Sequence, residues 1–277
     1  MSTETIIEIN NLRTKFGTVV IHEDLKLKIQ RGEIVALIGD SGVGKSTLLR
    51  EIILLEKPAA GSIKVFGIEV LNLSDKQALW LRRHCGMMFQ QGALFNSLTV
   101  GENVAVPLCE HTQLSQRLIK EIVAFKTALV GLPASAKNKY PAQLSGGMIK
   151  RAAVARALAL DPEILFLDEP TAGLDPIGAG AFDELILQLT ESLGLTVVIV
   201  THDLDLLWKV TNRVAVLADK RVHTVAPICE LIQLDHPWLQ KYFQGPRGRA
   251  ARVNEATKCP KRNEESSEDQ LEEPMAH

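Results

Sequence analysis

The sequence predicts an α/β protein whose central sheet is mostly parallel. Three apolar runs, "EIVALIG", "EILFLDEP" and "LTVVIVTHD", have the near-continuous hydrophobicity of strands that are buried on both faces. Between the second and third runs, "AGAFDELILQLTESLG" has apolar residues at helical spacing and ends at Gly194. A strand, a helix and a further strand in succession form the repeating unit of a parallel sheet.

The flanking segments predict additions to this sheet. "IIEINNL" and "LKLKI" alternate in hydrophobicity, which predicts an N-terminal antiparallel β-subdomain. The middle region contains "SQRLIKEIVAFKTALVGL" and little strand signal, so we expect an inserted α-helical subdomain there. "RVAVLADKRVHTVA" predicts a terminal hairpin, followed by a short helix. We expect a core of residues 1–90 and 151–244, a helical subdomain of residues 91–150, and a tail of residues 245–277 that is disordered or bound to a partner.

Composition limits the possible partners. The 277 residues carry a net charge of -2, which gives no general electrostatic basis for binding nucleic acid. The N-terminal "MSTETIIEINNL" lacks the apolar region of a signal peptide, and the longest apolar runs are far shorter than a membrane span. We expect a cytosolic chain that binds no nucleic acid and that can dock on a membrane partner.

A glycine-rich turn, "GDSGVGKST", follows the first apolar run and precedes a helical pattern. It matches the G-x-x-x-x-G-K-S pattern of P-loop nucleotide hydrolases, in which glycines let backbone N–H groups close on a phosphate. Lys45 is expected to reach the β- and γ-phosphates, Ser46 to bind Mg²⁺, and Thr47 to hold the α-phosphate. The predicted nucleotide-binding residues of this turn are Gly39, Asp40, Ser41, Gly42, Val43, Gly44, Lys45, Ser46 and Thr47.

Two carboxylates end the second apolar run, and a histidine ends the third. Asp168 should lie at the carboxyl edge of the sheet, where ligands bind in doubly wound folds, and there it would hold Mg²⁺. Glu169 points elsewhere and could polarise an attacking water as a general base. His202 should reach the same edge and donate a hydrogen bond to the γ-phosphate.

Two further residues are less specific by themselves. Gln90, in "MMFQQGALF", could position the attacking water or complete the Mg²⁺ shell, although the adjacent Gln91 offers the same chemistry. Asp175 lies in "TAGLDP" with Gly173 and Pro176, where an aspartate is typical of a turn.

A second candidate anion-binding turn, "LSGGMIKR", has no phosphate-loop lysine. Taken in order with the other motifs, it makes the chain resemble the ATP-binding-cassette (ABC) ATPases from Ile6 to about Phe243. The most specific element is LSGG before a helix, about twenty residues ahead of the carboxylate pair.

The resemblance implies a role for each matching residue. Phe16 would stack on adenine, Gln90 would contact both water and Mg²⁺, and Glu169 and His202 would act in hydrolysis. Two copies would pair head to tail, so that the signature and the turn after the carboxylates complete the partner's ATP site in trans. The residues assigned to that trans contact are Ser145, Gly146, Gly147 and Asp175. ATP and Mg²⁺ are the implied cofactors, and a homodimer is the implied assembly.

Longer stretches, including "FQQGALFNSLTVGENVAVPL" and "DEPTAGLDPI", resemble the ATPases of Mla-type (MCE-associated) lipid transporters. Met148 supports this branch, because most cassettes have Gln at that position. The resemblance implies a multi-spanning inner-membrane permease, a STAS-domain protein and a periplasmic MCE protein as partners. It also implies a peripheral position on the cytoplasmic face of the inner membrane. The cargo would be phospholipid moved between the inner and outer membranes; this subunit indicates neither direction nor headgroup.

Three alternatives share parts of this pattern. An amino-acid or ion importer ATPase would use the same chemistry with another cargo. A soluble ABC ATPase of DNA repair would insert long coiled coils, and one of translation would carry two cassettes; neither feature is present in this sequence. A nucleotide-binding scaffold would not need the catalytic groups.

Two surface features are open to interpretation. Leu94 and Phe95, beside polar Asn96 and Ser97, are candidates for contact with a permease. The aromatic residues of "HPWLQKYFQ" could reach across to a second subunit or close a helix on their own domain.

Overall fold

The fold is built on two β-sheets. The computed structural model describes residues 4–235 and 237–244, without the side chains of Pro237 and Gln244. The smaller sheet is antiparallel and has the order β2-β1-β4-β5. Its strands are β1 (Thr5–Phe16), β2 (Val19–Gln30), β4 (Ala60–Val65) and β5 (Ile68–Glu69). The expected N-terminal antiparallel subdomain is therefore present, and its last two strands were not anticipated from the sequence.

The larger sheet has six strands in the order β10-β9-β3-β8-β7-β6. All neighbours are parallel except β10, which forms the expected hairpin with β9. The strands are β3 (Ile34–Gly39), β6 (Cys85–Met88), β7 (Ile164–Asp168), β8 (Thr196–Val200), β9 (Arg213–Ala218) and β10 (Arg221–Ala226). This arrangement confirms the predicted α/β class with a mostly parallel sheet.

The central strands are buried on both faces, and alternate residues serve two separate cores. On β7, Leu165 and Leu167 pack into one core, whereas Ile164 and Phe166 pack into the other. This alternation is the two-residue period of a strand. One core contains the helices of the middle region, and the other lies between the two sheets, so strand β7 is held from both sides.

Helices cover the sheet and form the middle region. They are α1 (Lys45–Ile52), α2 (Asp75–His84), α3 (Val100–His111), α4 (Gln116–Leu129), α5 (Gly146–Ala157), α6 (Pro176–Leu193), α7 (Leu204–Val210), α8 (Ile228–Leu231) and α9 (Pro237–Gln244). Helix α6 begins earlier than its apolar pattern suggested, because Asp175 caps it and Pro176 occupies its first turn. It ends at Gly194, whose φ of 65° suits glycine at a helix C-terminus.

Between residues 91 and 150 the described backbone is helical or irregular, as expected for an inserted helical segment. Helix α5 crosses the expected boundary between residues 150 and 151 without a break. The division into core and helical subdomain stays a prediction, and the tail of residues 245–277 lies outside the described residues. None of the helices in the described ranges is long and apolar enough to cross a membrane.

Helix α9 packs on its own chain. Leu239 and Phe243 are buried against Ile38 of β3 and Val216 of β9. The described residues therefore form the closing helix that one of the two interpretations expected.

Candidate active site

The candidate site lies where three neighbouring parallel strands end. Strand β8 lies between β3 and β7, with Leu37 and Asp168 both paired to Val200. The phosphate loop follows β3, the carboxylates end β7, and His202 follows β8. The sheet order therefore brings together motifs that are far apart in the sequence, at the edge where doubly wound folds bind ligands.

Two glycines of the phosphate loop are required by close neighbours. A Cβ added to Gly39 would lie 2.2 Å from the carbonyl oxygen of Leu217. Gly44 has a φ of 99°, and its Cβ would lie 2.4 Å from Nε2 of His22. A larger residue would require a shift of the backbone at Gly39, and of the His22 and Ile21 side chains at Gly44.

Behind Gly44 lies a buried polar network that the sequence analysis did not detect. His22 and Glu51 are almost fully buried, and the Thr14 hydroxyl donates to the Glu51 carboxylate at 2.8 Å. Nδ1 of His22 lies 2.9 Å from the same hydroxyl oxygen. The network joins β1, β2 and α1 directly beneath the loop, and only its position in the fold reveals it.

Lys45 folds back over the phosphate loop. Its ammonium donates to the carbonyl oxygens of Gly39 and Asp40, each at 2.8 Å. Burial lowers the pKa of Lys45, and the carboxylates of Glu169 and Asp40 oppose that change. The ammonium is therefore held by weak neutral acceptors close to carboxylates, a position from which it can bind phosphate oxygens.

Ser46 and Asp168 form the candidate Mg²⁺ position. The Ser46 hydroxyl donates to Oδ1 of Asp168 at 2.9 Å, and Asp168 is buried. Both groups are hard oxygen donors, which suits Mg²⁺ held jointly by the protein and by substrate phosphates. Within residues 4–235 and 237–244, no group of three or more His, Cys, Asp or Glu side chains could hold a metal by itself.

Glu169 and His202 are in direct contact. Nδ1 of His202 lies 2.9 Å from Oε1 of Glu169, and the histidine side chain is 70% exposed. Glu169 has a φ of 48°, which is uncommon for a residue other than glycine, and its N–H donates to the Val200 carbonyl at 2.8 Å. The strained backbone turns the Glu169 side chain away from Asp168 and toward the histidine.

The remaining predicted residues lie at the margins of these groups. Phe16 ends β1 and is half-exposed, as a stacking surface must be. Gln90 is exposed, and its side-chain amide makes no hydrogen bond within the described part of the chain. Asp175 caps α6 by accepting from Gly178 N at 2.8 Å, so it has a structural role within this chain.

The signature turn begins helix α5. The Ser145 hydroxyl caps the helix by accepting from the N–H of Met148 at 3.3 Å. A Cβ added to Gly146 or Gly147 would meet only Leu174, at 3.7 Å and 4.0 Å, which are ordinary contacts. Neither glycine has a positive φ. Within the described chain, therefore, neither conformation nor packing requires glycine at these two positions.

Two further contacts reach the site from residues to which the sequence analysis assigned no role in it. The indole N–H of Trp238 in α9 donates to Oδ1 of Asp40 in the phosphate loop at 2.9 Å. The Lys150 ammonium in α5 donates to the carbonyl oxygens of Gln90 and Glu169. No signal in the sequence indicated either contact, because both depend on how distant elements pack.

A glycine-rich loop with its lysine, a serine–aspartate pair and a glutamate–histidine pair at one sheet edge define a P-loop ATPase. More narrowly, residues 22–172 match the sequence pattern of the ABC transporter family, and the chain belongs to that family. It is an ATP-binding and ATP-hydrolysing subunit of that family, which confirms the family expected from the motif order.

Several curated relatives are similar over most of the chain. The phospholipid transport ATP-binding protein MlaF of Haemophilus influenzae is 39% identical over 87% of this chain and 91% of the relative. The probable ribonucleotide transport protein mkl of Mycobacterium tuberculosis is 39% identical over 91% of this chain and 71% of the relative. The methionine import protein MetN of Lacticaseibacillus paracasei is 40% identical over 88% of this chain and 70% of the relative.

Solved cassettes have the same fold. One is a dimeric ATP-binding cassette in a post-hydrolysis state bound to ADP and Pi, with a TM-score of 0.74 and 33% identity. That match covers 80% of this chain and 98% of the other. Another is cbiO1 from Clostridium perfringens, part of the cbiONQ transporter complex, with a TM-score of 0.76 and 29% identity over 91% of this chain and 99% of the other.

Proposed function

We propose that the chain hydrolyses ATP in a head-to-tail homodimer and thereby drives phospholipid transport between the inner and outer membranes. The observation that carries the hydrolytic part is the convergence of Lys45, Asp168, Glu169 and His202 at one sheet edge. The dimer and the cargo rest on separate observations.

The signature glycines support the dimer. Gly146 and Gly147 have room for a side chain within their own subunit, yet both lack one. Backbone N–H groups at the start of α5 favour a phosphate, and a bare backbone lets a ligand approach closely. The ligand that fits this turn is the ATP of a second subunit, whose own Lys45 supplies the missing cation. The dimeric relative with bound ADP and Pi is consistent with such pairing.

The chemistry divides among the chain's own groups. Loop N–H groups and Lys45 bind the phosphates, and Phe16 stacks on adenine. Glu169 accepts a proton from the attacking water, while His202 keeps the carboxylate oriented through the 2.9 Å contact. Ser46, Asp168 and Gln90 would hold Mg²⁺, which neutralises charge on the phosphates when bound.

The cargo assignment rests on resemblance and on Met148. MlaF from Haemophilus influenzae is matched over 91% of its length, and MlaF from Escherichia coli is 39% identical over 82% of its length. Met148 is partly buried and packs against the core that contains the helices of the middle region, a position that a flexible apolar side chain can fill.

A permease is the partner that would join this subunit to the membrane, and Phe95 is the proposed contact. The side chain of Phe95 is 52% exposed, whereas hydrogen bonds hold its backbone in place. Buried Asn103 accepts from the Phe95 N–H at 2.7 Å and donates to the Phe95 carbonyl at 3.1 Å. A rigid, exposed aromatic residue is suited to anchor a docked helix. The STAS-domain and MCE partners and the peripheral, cytoplasmic-face position belong to the same proposal.

The test is purification of the tagged chain from membranes, followed by identification of the co-purified permease and its lipids. Recovery of a multi-spanning protein with bound phospholipid is the expected result. Phe95→Asp should release the permease, whereas Phe125→Asp, which alters a phenylalanine that is 59% exposed on α4, should not. Retention of the permease by Phe95→Asp would remove that residue from the interface.

A second candidate function is methionine or related amino-acid import. The 40% identity to MetN favours this alternative. Because both candidate functions use the same ATPase chemistry, the permease is what distinguishes them. A co-purified permease that binds an amino acid and carries no lipid would establish this alternative.

A further inference from the structure

A lysine in the signature helix lies against the catalytic groups of its own subunit. Lys150 is only 6% exposed, which is unusual for a lysine. Its ammonium donates to the carbonyl oxygen of Glu169 at 3.1 Å and to the carbonyl oxygen of Gln90. A buried ammonium is costly unless nearby acceptors compensate it, and these two carbonyls supply the compensation. Burial lowers the pKa of Lys150, while the charges of Glu169 and Asp168 oppose that change.

A hydrogen bond to the carbonyl of Glu169 restrains the backbone of the residue that carries the catalytic carboxylate. Glu169 has a positive φ, and its N–H is bound by Val200 of β8. Its carbonyl accepts a local turn contact from Ala172 N at 3.3 Å, and Lys150 is the donor that joins it to helix α5. The strained residue is thus fixed by β8 on one side and by α5 on the other.

The same helix is also hydrogen-bonded to the loop that follows Gln90. Arg156, six residues beyond Lys150, donates to the carbonyl oxygens of Ala93 at 2.6 Å and Gly92 at 3.1 Å. Helix α5 therefore donates to three carbonyls of this loop, those of Gln90, Gly92 and Ala93, and its first residues form the signature turn. Lys150 is the point where the loop, the signature helix and Glu169 meet.

We infer that Lys150 is a positioning residue that makes the orientation of Glu169 depend on the placement of helix α5 and of the Gln90 loop. A signature turn engaged by the partner's ATP would then act on the carboxylate of its own subunit, which links the two composite sites of a dimer. This inference rests on the proposed role of Glu169 as the base.

The test compares three variants of the full chain. Lys150→Met keeps the length and apolar stem of the side chain but has no donor, whereas Lys150→Arg keeps donors. Lys126→Met is the matched control, because Lys126 is a 2% exposed lysine in α4 that pairs with Asp161 outside the site. We expect kcat of Lys150→Met to fall about 10- to 100-fold, as for a misplaced catalytic group, with the ATP Kd unchanged within about twofold. Lys150→Arg should recover most of the rate, and Lys126→Met should keep it.

Two results would overturn the inference. One is a wild-type kcat in Lys150→Met. The other is a parallel loss of kcat and ATP affinity in Lys150→Met and Lys126→Met, which would indicate general damage to the fold.

Hydrogen exchange separates this inference from the assignment of the base. Lys150→Met should speed exchange in peptides containing residues 90–93 and 169–172, and Lys126→Met should not. Suppose that Lys150→Met shows the expected faster exchange and the expected loss of kcat, but that Glu169→Gln turns over ATP at the normal rate. These results would leave the positioning role of Lys150 intact and refute the role of Glu169 as the base. Unchanged exchange would refute the positioning role.

Discussion

Nδ1 of His202 lies 2.9 Å from the Glu169 carboxylate, although 33 positions separate the two residues in the chain. Parallel pairing of β7 with β8 produces this contact. Asp168 pairs with Val200, Glu169 comes directly after Asp168, and His202 comes two residues after Val200. The contact gives Glu169 a fixed orientation before any substrate arrives.

Glu169→Gln should retain ATP binding and lose turnover by about 100-fold or more, the usual contribution of a general base. The amide keeps the shape of the side chain but cannot take a proton from water. Because ATP would persist, the ATP-bound dimer should accumulate, and size-exclusion chromatography with and without ATP would detect it. Turnover at the wild-type rate would exclude Glu169 as the base.

Gly147→Ala should fold normally and fail to form the ATP-dependent dimer. The added methyl group meets only Leu174 at 4.0 Å within the subunit, so the unfolding midpoint should stay within a few degrees of the wild type. The methyl group would instead occupy the surface offered to the partner's phosphate. Thermal unfolding and ATP-dependent dimerisation measured on one preparation check both parts. A dimer of normal affinity would argue against a trans role for the signature.

Gly44→Ala should be destabilised by more than about 1 kcal/mol, because it combines a strained positive φ with a clash. The new Cβ would lie 2.4 Å from both Nε2 of His22 and a methyl carbon of Ile21. Gly67→Ala is the control, since Gly67 has a φ of 73° and no atom within 4 Å of the added Cβ. Urea unfolding of both variants separates backbone strain from the clash. Equal losses in the two variants would show that the packing behind Gly44 contributes nothing.

Asp183 should make stability fall as pH rises toward neutrality. Burial, followed by the charge of Asp203, raises the pKa of Asp183 to about 7. Between its unfolded pKa and about 7, the folded state binds the extra proton, so unfolding becomes easier as pH increases through this range and levels off above it. The full effect is on the order of 4 kcal/mol, since each pKa unit corresponds to about 1.4 kcal/mol.

Asp183→Asn removes this titration and is the direct comparison. Urea unfolding of both proteins from about pH 5 to about pH 8 should show the variant gaining stability relative to the wild type as pH rises. Parallel curves would mean that Asp183 titrates near its ordinary range in the folded protein.

The chemistry of the site was predictable because its residues are local extensions of buried strands. Asp168 and His202 each follow a run whose apolar continuity predicts a strand, so their meeting at one edge follows from a parallel sheet. The strand order that places β3 between β8 and β9 was not predictable, since no local pattern encodes it. The short strands β5 and β6 have too few residues for a clear alternation.

Lys150 illustrates the other limit of sequence interpretation. In "LSGGMIKR" it is one of two adjacent basic residues on a helix, a position where exposed lysines are common. Only the packing of α5 against the carboxyl edge turns its ammonium inward toward Gln90 and Glu169. The role of such a residue is a property of the tertiary structure.

The hydrogen bond from Trp238 to Asp40 gives the protein an internal optical reporter. Of its three tryptophans, Trp80 stacks on His84 and Trp208 is buried in α7, whereas the indole of Trp238 is hydrogen-bonded to Asp40 of the phosphate loop. Indole emission depends on the polarity and hydrogen bonding of its surroundings, so nucleotide that shifts Asp40 should change the fluorescence of Trp238. Titration of a Trp80→Phe protein with ATP would then follow occupancy of the site in real time, without a labelled nucleotide.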